Sequence, residues 1–375
     1  MTHLWVRAEQ RDNETRTGIT PAGVARLMQA GMTVTVERSA TRVIPDDAFA
    51  QTECTMAATG SWPEAPPRAV IFGLKELPDD GTPLGHRHIM FGHAFKGQPD
   101  GLRLLERFRA GGGTLLDLEY LTDDTGARVA AFGYWAGYAG AAVALKCWAA
   151  QQKGHIAGPV SACQSATHLL SDLQSELLST GTHRPRALII GALGRVGRGT
   201  ADLCTAMGVD CTRWDVAETA AGGPFPEILA HDLFFNCILA RPGTPVFVPA
   251  SAVHVPRRLS VIGDIACDPD SSFSPIKVYD RTTTWDTPAL RVANDPVLDV
   301  TAIDNLPSML PLESSEDFAG QLLPVLQTLG TPGADIWSRA EKTFHDHLAR
   351  LLRTGKSTCV FHPSPNTPAA GGKTT

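Results

Sequence analysis

Apolar and polar positions along this chain follow two different periods. Residues 3–7 (HLWVR) and 33–37 (TVTVE) alternate at every second position, the pattern of half-buried strands. Short apolar runs at residues 69–73 (AVIFG), 89–93 (IMFGH) and 114–118 (TLLDL) predict three more strands. Between them the apolar spacing becomes helical, as over residues 101–110. Thr20-Pro21 supplies an N-cap and a first-turn proline for a helix reaching about Ala30. Strand–helix alternation on this scale predicts a parallel sheet covered by helices.

Residues 129–150 (VAAFGYWAGYAGAAVALKCWAA) break this rhythm. They are rich in Ala and Gly and carry only Lys146 as a charge, which predicts a close-packed helix. The same stretch suits a connection between two domains around a cleft that opens and closes. A polar stretch and a helix follow within residues 154–185, then a strand at 187–190, a glycine-rich turn and a helix to about Met207. Further strands are expected at 210–215, 232–239 and 259–264. The fold class is therefore α/β, with two Rossmann-like domains, parallel sheets flanked by helices and an active site in the cleft between domains. The Pro/Gly/Thr-rich end of the chain is expected to be disordered.

Bulk composition narrows the partners. At 375 residues two domains are the default, and 43% hydrophobic with 19% charged residues is an ordinary globular balance. A net charge of -6 argues against nucleic acid as the partner. A mildly acidic protein that handles an anionic substrate must place its cations locally, so single arginines become informative. The 8 cysteines form no C-x-x-C pair and no zinc-like spacing, so no metal is expected and buried thiols are. The start MTHLWVRAEQ lacks a secretory pattern, and no apolar run is long enough to span a membrane. The expectation is a cytosolic chain, acting as a monomer or small homo-oligomer.

Two sets of residues carry the candidate chemistry. In RALIIGALGRVGRG, Gly191, Gly194 and Gly197 follow an apolar strand and open a helix. Such glycines let the backbone turn and approach a pyrophosphate at the positive helix end. Asp215 ends the next strand, where an acid bonds the adenosine ribose and repels the extra phosphate of NADP, so NAD is favoured. Arg195 is read as lying over the pyrophosphate or adenosine. The second set lies beyond strands three and four, where Lys75 follows AVIFG and His93 closes IMFGH. Ligands of open α/β sheets bind at the carboxyl ends of strands. A lysine, with a free pKa near roughly 10.4, removes a proton from an amine only if its surroundings depress that value. A histidine then manages the proton transfers of hydration. Arg16 and Arg128 are candidates to clamp a carboxylate. His86 and His88 are read as structural.

The ordered motifs RAE, R-x-G-I-T-P, GLKELP, H-x-H-I-M-F-G-H-A-F-K, RVAAFGYWAGYAGAA, IIGALGR-x-G, WD-x-x-ET and GGPF resemble the NAD-dependent, lysine-forming saccharopine dehydrogenases from residue 7 to about 350. Alanine dehydrogenase and the transhydrogenase nucleotide subunit are similar more broadly. The resemblance implies that saccharopine, NAD and water give lysine, 2-oxoglutarate and NADH. It implies Lys75 as base and His93 as acid–base group, with Arg16, Lys75, Gln98, Arg128 and Phe132 at the substrate and Ala266, Cys267 and Asp268 bordering it. Gly194, Arg195, Asp215 and Thr219 match cofactor positions. Ile265 falls on the nicotinamide side, and Ile303, Asp304, Asn305 and Leu306 form a segment that closes over the cofactor. Clustered arginines fit a substrate with three carboxylates.

The family comparison also supplies a domain map: residues 1–131 with 316–360 as the catalytic domain, 132–315 as the NAD-binding domain, and 361–375 as a disordered tail. The helix expected over 335–352 resembles the element that returns to the first domain. Where the family often has two arginines before VAAFG, this chain has Ala127 and Arg128. Val196 replaces a glycine-loop cysteine that some members pair with the one matching Cys237, and the tail ends KTT rather than in a peroxisomal address. The competing readings are a related opine-type or alanine dehydrogenase, and a non-catalytic NAD-binding sensor that keeps Asp215 and the glycine loop without needing Lys75.

Overall fold

The computed structural model describes residues 1–11, 13–95, 98–331 and 333–353, with backbone alone at the last two. The expected tail from residue 361 lies outside the described residues. The first half forms one six-stranded sheet from β1 (His3–Val6), β2 (Thr33–Glu37), β3 (Thr55–Ala57), β4 (Val70–Phe72), β5 (Arg87–Met90) and β6 (Thr114–Asp117). The strands lie in the order β3-β2-β1-β4-β5-β6, and every neighbouring pair is parallel. Helices α1 (Pro21–Gln29), α2 (Asp46–Ala50) and α3 (Pro99–Gly111) cover it. Thr20 caps α1, its hydroxyl accepting from the Gly23 N–H at 3.2 Å.

The long helix α4 (Gly133–Gln152) leads into the second half. There α5 (Ala166–Leu178), β7 (Arg186–Ile190), α6 (Arg195–Ala206), β8 (Asp210–Trp214), α7 (Val216–Thr219), α8 (Pro226–Leu229), β9 (Leu233–Asn236), β10 (Val261–Asp264), β11 (Leu290–Asn294) and β12 (Val297–Thr301) follow in turn. Their strand order is β11-β12-β10-β9-β7-β8. All pairs are parallel except β11–β12, which is antiparallel. That departure from a wholly parallel sheet has a simple cause: two residues separate the strands, and so short a link joins only antiparallel neighbours.

The Ala/Gly-rich stretch is the close-packed helix its composition predicts, although it starts at Gly133 and leaves 129–132 as an approach. A Cβ on Gly137 would lie 1.9 Å from the Val196 carbonyl oxygen, and one on Gly199 would lie 1.9 Å from that of Tyr134. Two reciprocal glycines thus bring the α4 and α6 backbones into direct contact. The chain then returns through α9 (Pro311–Leu326) and α10 (Asp335–Arg353). Phe318 and Leu322 of α9 join the core of the first sheet. Phe344 of α10 packs edge-on to Phe108 of α3 at 5.7 Å. Full burial of a phenylalanine is worth about 1.5–3 kcal/mol, so these two anchor the return. No helix among the described residues is long and apolar enough to cross a membrane.

Candidate active site

The carboxyl ends of both sheets open on one cleft of about 290 Å³. The first sheet contributes Lys75 beyond β4 and His93 beyond β5, joined by Arg16, Glu119, Arg128 and Phe132. Facing them are Ile265, Ala266 and Cys267 beyond β10, and Ile303 to Leu306 beyond β12. A second chamber of about 470 Å³ shares Lys75, His93 and Asp304 with the first and extends to Gln98, Arg11 and Arg103. Lys75 and His93 therefore stand where two connected spaces meet.

The segment bearing Lys75 is held by buried charges. Glu9 accepts from the Leu74 and Lys75 N–H groups at 2.6 and 3.0 Å, and the Arg7 guanidinium donates to the Lys75 carbonyl. Arg7 and Glu9 pair at 3.4 Å. Burial pushes the Glu9 carboxyl up, and Arg7 opposes it. The amine of Lys75 is shifted in the direction that a general base requires. Burial lowers its pKa from the ordinary lysine value, and the Arg16 and Arg11 guanidiniums push the same way, while Glu14 and Asp304 resist.

Arg16 is buried and already partnered. Its Nε and Nη2 donate to the two Glu14 oxygens at 2.8 and 2.6 Å, and Nη2 also donates to Asn305 Oδ1 at 2.6 Å, across the cleft. Burial works against the charge of Glu14, but its Arg16 hydrogen bonds and the nearby cation outweigh that and hold the carboxyl below its usual value. The guanidinium lies 4.2 Å over the Phe132 ring, which stacks on Phe318 at 4.3 Å. A cation, an aromatic and a core helix are thereby layered into one fixed wall.

His93 sits on a sharp turn, with φ of +48°. Its Nδ1 is 3.5 Å from Glu119 Oε2 and its ring is half exposed to the cleft. Beneath it, burial pushes the Asp117 carboxyl up to about 6, and Asp117 Oδ1 accepts from the Glu119 N–H at 2.9 Å.

The second sheet offers backbone rather than charge. Gly191 turns with φ of +88°. A Cβ on Gly197 would lie 2.1 Å from the Gly191 oxygen, so close packing of helix on loop requires a glycine there. Gly194 is different: a Cβ would meet only that oxygen, at 3.4 Å, so this N-cap of α6 faces open space. The opened first turn of α6 is a cradle for an anionic group. Asp215 borders it, accepting from the Leu193 N–H at 3.0 Å and capping α7 together with Glu218. The Thr219 hydroxyl donates to the Asp215 carbonyl at 2.9 Å. Arg195 reaches across the cleft to the Arg128 carbonyl at 3.0 Å.

Residues 5–139 match the family model described as alanine dehydrogenase/PNT, N-terminal domain. A solved L-alanine dehydrogenase has the same fold, with a TM-score of 0.68 at 17% identity over 93% of this chain and 100% of that one. A chain from Emericella nidulans named saccharopine dehydrogenase [NAD(+), L-lysine-forming] is 43% identical over 369 residues, covering 94% of this chain and 98% of its own. The chain belongs to this saccharopine dehydrogenase family. A Schizosaccharomyces pombe protein of the same name is 41% identical over 93% of this chain and 99% of its own.

Within this saccharopine dehydrogenase fold, most of the expected site residues converge. Arg16, Lys75, His93, Arg128, Phe132, Ile265, Ala266, Cys267 and Ile303 to Leu306 all line the first cleft, and Gln98 lines the adjoining chamber. Asp268 is exposed and does not line that cleft. His86 and His88 stand apart as expected, with His88 buried edge-on to Trp62 and Phe108 at 5.2 and 5.4 Å. Sequence reasoning passed over Arg7, Glu9, Glu14 and Glu119. The signal was present, since Glu9 ends the opening RAE motif, Glu14 stands two residues before Arg16, and Glu119 follows β6 just as Lys75 and His93 follow their strands.

Proposed function

We propose that this protein is an NAD-dependent saccharopine dehydrogenase, converting saccharopine, NAD and water to lysine, 2-oxoglutarate and NADH. The observation that carries the reading is the placement of a depressed-pKa lysine and a histidine–glutamate pair at the junction of two chambers, opposite the end of a glycine-cradled sheet. Bound NAD supplies a hydride acceptor. Gly194 leaves room for its pyrophosphate at α6, on a loop whose shape Gly191 and Gly197 permit, with Arg195 alongside. Asp215 and Thr219 hold the adenosine ribose end, and the acid disfavours NADP. Ile265 and the segment Ile303, Asp304, Asn305 and Leu306 enclose the nicotinamide end.

Neutral Lys75 takes the proton from the secondary amine as hydride leaves the adjacent carbon, giving an imine. Water adds to that carbon, with His93 accepting and returning the proton and Glu119 stabilising the charged imidazole. The carbon–nitrogen bond then breaks, releasing the lysine amine and leaving the keto acid. Arg128 and the outward hydrogens of Arg16 bind substrate carboxylates. Phe132 walls the carbon chain, Gln98 bonds the end in the second chamber, and Ala266 and Cys267 border the substrate. We place residues 1–131 and 316–360 in the catalytic domain and 132–315 in the NAD-binding domain. We also place the protein in the cytosol, where reduced thiols are the norm and the seven described cysteines are free.

Purified protein given saccharopine and NAD should produce NADH, read by its absorbance, with lysine released in equal amount. Turnover of alanine instead, or NAD binding without turnover, would overturn the assignment.

A further inference from the structure

The turn after β10 rests on a polar network that none of the roles above uses. Cys267 holds φ of +52°, a left-handed conformation that a residue with a side chain keeps only when its surroundings impose it. Those surroundings lie beneath the turn. Asp264, the last residue of β10, is 2% exposed. Its Oδ1 accepts from the Asn236 amide at 2.9 Å and from the Cys267 N–H at 3.3 Å. Its Oδ2 accepts from the Tyr279 hydroxyl at 2.6 Å. Asn236 sits beside Asp264 in register, and its carbonyl accepts from the Ile265 N–H at 3.1 Å. The Ile265 and Cys267 N–H groups of the turn are thus bonded to the ends of β9 and β10.

The turn is tied from its other sides as well. The Cys267 thiol donates to the Ala302 carbonyl at 3.1 Å, next to the segment that begins at Ile303. Gly140 of α4 lets Ile265 close in, since a Cβ there would lie 2.8 Å from Ile265 Cγ1. A carboxylate removed from water needs its acceptor sites filled. Burial pushes Asp264 up, and Tyr279, Asn236 and the turn's own N–H groups oppose it. An apolar side chain would fill the end of β10 with no such demand, so the charge serves the backbone it binds.

We propose that Asp264, held in place by Tyr279 and Asn236, is the positioning residue that sets the Ile265–Cys267 turn against the nicotinamide end of the dinucleotide. It touches neither cofactor nor substrate and acts through the backbone of the turn. The proposal rests on the cofactor placement given above, but not on the identity of the substrate.

The test compares two ligands on the full chain: NADH, which has the nicotinamide, and ADP-ribose, which lacks it. In Asp264→Asn, NADH affinity should fall about tenfold, the scale set by a hydrogen bond to a charged group, while ADP-ribose affinity stays within about twofold. Tyr279→Phe, which keeps the ring packing if Asp264→Asn fails to fold, should show the same split at about threefold. Loss of affinity for both ligands together would assign the network to general stability and overturn the proposal. Unchanged NADH affinity in both variants would overturn it too, as would a wild-type protein that binds ADP-ribose as tightly as NADH. Failure of the saccharopine reading looks different: NADH binding intact and no turnover.

Discussion

The two halves of this molecule share an architecture and use it in opposite ways. The first sheet gathers ionisable side chains at its strand ends, each backed by a carboxylate: Arg7 by Glu9, Arg16 by Glu14 and His93 by Glu119. The second presents glycine-lined backbone, with Asp215 occupied in pinning the loop and capping a helix. Chemistry that moves protons needs groups whose pKa is set by neighbours, and paired charges provide that control. Holding a pyrophosphate needs close approach of main-chain N–H groups, and missing Cβ atoms provide that. Substitutions in the two halves should therefore fail differently, electrostatically in the first and sterically in the second.

The largest expected effect tests the first half. Lys75→Met should lower kcat/KM for saccharopine by about 100-fold or more while leaving NADH affinity within about threefold, measured by steady-state kinetics and fluorescence titration. His93→Gln should do the same through the hydration step. The steric counterpart is Gly197→Ala, whose Cβ would press on the Gly191 carbonyl and the Ala192 Cα. It should destabilise the second half by about 1–3 kcal/mol and weaken NADH binding, read by denaturant melts and titration. An activity loss with NADH binding untouched would break the contrast.

A subtler pair of variants separates the charges around Lys75. Its pKa is lowered first by burial, then by Arg16, and Glu14 works against them. Removing the cation in Arg16→Gln should raise the lysine pKa and move the acid limb of the kcat/KM profile to higher pH. Removing the anion in Glu14→Gln should move that limb to lower pH. Two shifts of the same sign would contradict the electrostatic account.

The smallest effect concerns stability alone. His88 is buried, neither ring nitrogen has a partner, and burial, aided by Arg7, lowers its pKa to about 3. A base depressed in the folded state takes up its proton preferentially on unfolding, so stability falls as pH drops from about 6.5 toward 3. His88→Leu removes this penalty. Relative to wild type at neutral pH, it should gain about 2 kcal/mol at pH 5, as measured by chemical denaturation.

Much of this contrast was legible in the sequence because it depends on local pattern. The second-half glycines fall between an apolar strand and a helix, and both Lys75 and His93 follow apolar runs, which is where an open sheet places its ligands. The hairpin of β11 and β12 and the returning helix α9 were not anticipated. The hairpin's turn sits inside RVANDPVLDV, and α9 derives its identity from packing Phe318 and Leu322 on a sheet formed some 200 residues earlier. The partners Glu9, Glu14 and Glu119 were passed over for a related reason. A carboxylate in a polar stretch reads as surface, and only the tertiary fold buries Glu14 against Arg16 and brings Glu119 to His93. Likewise Arg16 reads as a free clamp until the fold shows its fork engaged by Glu14 and Asn305.

One amine, that of Lys75, stands at the meeting point of two chambers. The most direct test of its role is the Lys75→Met protein assayed with saccharopine and NAD, with small primary amines added to the buffer. The account predicts a rate lowered by about 100-fold or more that rises with amine concentration as the missing base is supplied from solution. A variant that turns over saccharopine at the wild-type rate would contradict it.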